Sequence, residues 1–179
     1  MRNSAFLALG TALLILQAVA HRALDLVHPN VPTPSLMLPL VVFMGVPEYS
    51  IARGAALSFI LGYLFDLFAG APVGLFTFAA VATFLVARMA GVRLAAQTLL
   101  TKFGLALVFA LLEGVLIVAL TAIFGGDPHR PRSLAFHVPV YALATALAAP
   151  VVFGVAERVH LATITASSTP EAGRAPGAT

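Results

Sequence analysis

The feature that most limits what this chain can become is its succession of apolar runs long enough to cross a bilayer. A hydrocarbon core of about 30 Å needs roughly 20 apolar residues per helix, and the stretches 4–24, 35–50, 53–69, 72–91, 97–124 and 134–157 meet or approach that length. Only 9% of the 179 residues are charged and the mean hydropathy is +1.01, which excludes a soluble globular domain. A lone helix satisfies its own backbone in lipid, so the sequence predicts an all-α integral membrane protein, a compact bundle of about six transmembrane helices. The second helix is expected to be short and kinked, because Pro32, Pro34, Pro39 and Pro47 surround or interrupt it. Residues 1–162 make up this transmembrane domain, and 163–179, "TITASSTPEAGRAPGAT", are expected to form a disordered cytoplasmic tail, being small, polar and bearing proline and glycine.

Basic residues in short loops stay on the cytoplasmic side. With the N-terminus inside, Arg2, Arg53, Arg88, Arg93, Lys102, Arg158 and Arg174 are cytoplasmic and Arg22, Arg130 and Arg132 external. That asymmetry predicts both termini in the cytoplasm. Arg2, the apolar run after it and Ala18-Val19-Ala20 also resemble a signal peptide with its cleavage site; cleavage would leave five spans, and the uncleaved reading is preferred. The basic residues are scattered between apolar runs, so no nucleic-acid footprint is expected.

Catalytic and metal signatures are missing from the sequence. There is no cysteine, no HExxH spacing, and His21, His28, His129, His137 and His160 fall in separate segments, so neither metal nor cofactor is expected. GxSxG, paired GxGD acids and a Walker glycine loop are absent as well. Enzyme readings are left without a nucleophile or base.

Counting by four from residue 54 gives Gly54, Ser58, Gly62, Asp66, Gly70 and Gly74. The first four share one helix face, a small-residue groove along the third span that ends at a carboxylate. Such a face lets another helix approach closely, either within the bundle or from a partner. Asp66 is followed by "AGAP", in which Gly70 can end the helix and Pro72 suits the first turn of the next. An acid there can accept hydrogen bonds from the unpaired amides at the start of the fourth helix; ion or substrate contact is the competing role.

Glu113 sits near the middle of the long fifth span, where a charged acid costs several kcal/mol on most scales. It must be neutral, paired or hydrated, and no basic residue lies at its depth. Candidate partners are Thr83, Thr145, Tyr141 or, nearer the outer end, His137. A hydrogen bond to another helix is the structural reading; a proton relay or ligand-binding acid would need further converging polar groups. "HPNVPTPS" and "GGDPHRPRS" are expected to be external loops, the first stiffened by proline.

The order of these features, about six spans in under 180 residues, an external "HPN" with prolines after it, and then "GYLFDLFAGAPVGLFTF", resembles the bacterial rod shape-determining protein MreD family. Gly62, Asp66, Gly70, Pro72 and Gly74 carry the match, and the span layout extends it over most of the chain; in the fifth and sixth spans only hydropathy agrees, and nothing about Glu113 is implied. The resemblance implies a noncatalytic scaffold subunit in the bacterial inner membrane, working with MreC and through it with MreB filaments, RodA and a class B penicillin-binding protein, with membrane lipid around it. The rival expectation is the substrate-binding membrane subunit of an energy-coupling-factor vitamin transporter, which would need an outward pocket with several polar side chains, and the sequence has little beyond Asp66, His137 and Tyr141 to furnish one.

Overall fold

The computed structural model describes residues 2–27, 33–45, 50–69, 73–91, 98–124 and 130–165. Six helices follow one another: α1 (Arg2–Val27), α2 (Met37–Met44), α3 (Ile51–Ala69), α4 (Leu75–Met89), α5 (Leu99–Phe124) and α6 (Arg130–Thr165). No strand occurs among the described residues. Helices α1, α3, α4, α5 and α6 form a ring in which each touches the next and α6 returns to α1, while α2 stands inside and touches all five.

Contacts between side chains set the directions. Gly54 faces Phe84 and Gly62 faces Thr77 and Ala80, so α3 and α4 run antiparallel. Lys102 Nζ reaches Glu157 Oε2 at 3.5 Å and Gly114 meets Val138, which makes α5 and α6 antiparallel. The rings of Phe6 and His160 lie 6.5 Å apart, joining the start of α1 to the end of α6. The start of α1 and the end of α6 therefore share one end of the bundle with Arg53, Arg88, Lys102 and Arg158.

The α2 sequence, MLPLVVFM, has no polar side chain, and seven of its eight residues are buried. A helix apolar all round belongs inside. Met37, Leu40, Val41 and Met44 join the cluster around Phe6, Leu61 and Phe84, while Leu38 and Val42 join an alanine-rich seam of Ala106 and Ala110 on α5 with Ala142, Ala146 and Ala149 on α6. Small residues there bring helices close enough for dispersion to hold them in lipid, where the hydrophobic effect supplies little drive.

Several expected boundaries are corrected. The second helix is short, as its prolines predict, though shorter than the stretch 35–50: at 1.5 Å per residue α2 is about 12 Å long, too short to span, and Pro39 falls in its first turn, where a missing N–H costs little. Four helices are long and apolar enough to span, and α4, 15 residues long, is shorter. The fourth helix starts at Leu75 rather than 72, with Gly74 as its N-cap. α6 begins at Arg130, taking the end of the expected "GGDPHRPRS" loop into its first turn, and runs on to Thr165, three residues past the expected tail boundary. Gly70, Pro72, His28–Pro32, Gly125–His129 and the tail from 166 lie outside the described residues.

The α3–α4 contact is sensitive to a single methyl. A Cβ on Gly62 would lie 2.7 Å from Thr77 Cα and 2.9 Å from the Phe76 carbonyl oxygen, both backbone, whereas one on Gly104 would meet nothing within 4 Å. Gly62→Val is expected to destabilise by about 1–3 kcal/mol through overpacking, and Gly104→Ala to be neutral or stabilising by up to about 1 kcal/mol. Apparent melting temperatures of the two variants in detergent check this; equal shifts would contradict the packing described.

Candidate functional site

Asp66, 1% exposed, lies one turn from the end of α3. Its Oδ2 accepts the Gly74 amide at 2.9 Å and the Thr77 amide at 3.1 Å, and its Oδ1 accepts the Phe76 amide at 2.8 Å. The Thr77 hydroxyl donates to Oδ2 at 2.5 Å. Gly74, Phe76 and Thr77 are the N-cap, second and third positions of α4, whose amides have no partner within the helix. The carboxylate thus caps the next helix from across the hairpin. Gly74 has φ +100°, a left-handed conformation that side chains disfavour, and Gly62 lets the α4 backbone come close enough for the cap to reach. Among the sequence-selected residues, Gly54, Ser58, Gly62 and Asp66 all lie on one buried face of α3. That groove is covered by α4 of the same chain and not left open for a partner.

A second polar group sits at mid-height, where α2 begins. Its start needs outside partners because lipid offers none. The Ser35 amide donates to Thr145 Oγ1 on α6 at 2.9 Å, the Leu36 amide to Gln17 Oε1 on α1 at 2.9 Å, and the Leu38 amide to Ser35 Oγ at 3.2 Å. Next to them the Tyr141 hydroxyl donates to Glu113 Oε2 at 2.6 Å and lies in hydrogen-bonding reach of the Ser35 and Thr145 side chains. Glu113 is 3% exposed. Of the partners proposed for it, Tyr141 bonds directly, Thr145 lies one step further along, and Thr83 is buried with its hydroxyl unpaired. Ser35, expected in an external loop, is instead 2% exposed inside the protein.

Gln17 and Ser35 were not singled out by sequence. The available signal was an amide midway along an otherwise apolar first span, since an uncharged polar side chain at that depth needs a partner on another helix.

Above this polar layer, on the side away from the start of α1, the ring encloses a cavity of about 680 Å³. It occupies the axial space that α2 leaves empty by starting halfway. Among the described residues, its polar side chains are those of Gln17, His21, Arg22, Thr33, His137 and Tyr141, from α1, the segment before α2, and α6, while the lining side chains from α3, α4 and α5 are apolar. No group of three or more metal-binding side chains occurs among the described residues. No protein-family model, curated protein or solved structure matches the chain.

Substitutions at two positions test these arrangements. Asp66→Asn replaces one accepting oxygen by a donor that faces amides, and is expected to cost about 2–3 kcal/mol while leaving membrane insertion intact; an unchanged apparent melting temperature would remove the capping role. Glu113→Gln keeps an oxygen for Tyr141, whereas Glu113→Ala leaves the buried hydroxyl without that acceptor at a cost of about 1–3 kcal/mol. The alanine variant should melt lower than the glutamine variant, and the reverse order would show that the acid does something other than accept this bond.

Proposed function

We propose that this chain is a noncatalytic scaffold subunit of the bacterial cell-elongation machinery, of the MreD type, in the inner membrane. It binds MreC and through it bears on MreB, RodA and a class B penicillin-binding protein, helping to organise peptidoglycan synthesis and cell shape. The observation that carries the reading is the α3–α4 hairpin. Gly62, Asp66 and Gly74, three of the residues on which the resemblance rests, join in one device there: close approach, cap and left-handed turn. Orientation with both termini cytoplasmic is supported by Arg53, Arg88, Lys102 and Arg158 at the end of the bundle where α1 begins and α6 finishes.

The cavity favours a second reading, the substrate-binding membrane subunit of an energy-coupling-factor vitamin transporter. Its volume suits a small ligand, and its polar side chains are more numerous than the sequence suggested.

A pull-down of the tagged chain from its native membrane in gentle detergent, followed by mass spectrometry, separates the two. The scaffold reading expects MreC and cell-wall synthases, with recovery reduced in Asp66→Asn in proportion to lost folded protein. Recovery of paired ATPases and a coupling subunit instead would overturn it in favour of the transporter.

A further inference from the structure

We propose that the cavity is a binding site for a membrane lipid with an anionic phosphate headgroup, drawn from the leaflet opposite the end where the chain begins. The cavity lining carries the permanent charge of Arg22, with the imidazoles of His21 and His137 beside it, and no acidic side chain among the described residues; Glu113 lies behind Tyr141 and accepts its hydroxyl. His21 and His137 lie about one helical turn above Gln17 and Tyr141, so a headgroup held there sits between the polar layer and the membrane surface. Arg22 supplies a permanent charge and a planar donor set suited to phosphate.

Helices α1 and α3 pack tightly at Gly10, where a Cβ would lie 2.5 Å from Leu61. Further along, Ile15, Val19 and Phe68 line the cavity and yet are 50%, 60% and 54% exposed. All three belong to apolar spans, so the cavity opens sideways into hydrocarbon between these helices. A soluble anion gains nothing from such a door, whereas a lipid can place its headgroup inside and leave its chain along Val19 and Phe68. At about 680 Å³ the space is that of a drug-sized ligand, enough for a headgroup and the first part of one chain.

The test is thermal stability and native mass spectrometry of the full chain in detergent micelles doped with phosphatidylglycerol, with phosphatidylcholine, or with inorganic phosphate alone. A ligand that binds the folded state raises the melting temperature with its concentration. The expected result is a saturable rise and one retained lipid for phosphatidylglycerol only. Arg22→Gln, an exposed position outside the packed core, should weaken this about fivefold or more, the worth of one basic residue beside anionic lipid. Arg53→Gln, at the opposite end of the bundle, should leave it unchanged. Equal responses to both lipids, an Arg22→Gln response like that of the unmodified chain, or loss in Arg53→Gln would overturn the site. A rise with inorganic phosphate matching that with phosphatidylglycerol would overturn the lipid as its source. None of these outcomes depends on which proteins the chain recruits.

Discussion

A helix that begins inside a membrane protein has amides that water cannot reach, and the remainder of this structure is arranged around supplying them with acceptors. It happens twice. At α4 one carboxylate, Asp66, takes three amides and a hydroxyl. At α2 neutral groups share the task, with Gln17, Thr145 and Ser35 each taking one amide and Pro39 presenting none. Both solutions reach across to other elements, so a local requirement of one helix becomes a tertiary bond between helices.

The position of α2 follows from that requirement and has a consequence for the whole bundle. Its eight apolar residues fill the ring's axis on one side of the polar layer, and among the described residues no segment of similar character fills the other. Glu113 and Tyr141 lie at the boundary between the two halves. The layer therefore satisfies the start of α2, anchors α1 and α6 to it, and floors the cavity. A full-length second span would have closed that space, so the cavity is bound up with how the helix starts.

Long apolar runs made the all-helical membrane class legible in the sequence, and the amides after Asp66 made its cap legible, because both depend on residues near each other in the chain. What could not be read was anything set by depth and neighbours. The stretch 35–50 has the composition of a span, yet its helix stops after Met44 and starts only at Met37. Gln17 gains its role only once α1 lies beside the Leu36 amide, and the Ser35 amide finds its acceptor only once α6 brings up Thr145. The small-residue stripe on α3 was legible as a packing face, but not which helix would cover it; Phe84, Thr77 and Ala80 of α4 answer that.

This use of the stripe bears on how a partner can bind. Asp66 has both oxygens engaged within the chain, and Gly54 and Gly62 are covered by α4. The α3 groove is thus closed to a partner, and the surface the helices offer is the outside of the ring, where side chains such as Phe59, Tyr63, Val108, Val115, Leu147 and Val151 face outward. In lipid that surface binds through shape and small-residue fit more than through apolarity, since the acyl chains it displaces are equally apolar. On the proposed scaffold reading, the hairpin residues would act on assembly by fixing the tilt and spacing of α3 and α4, and through them the shape of the outer face.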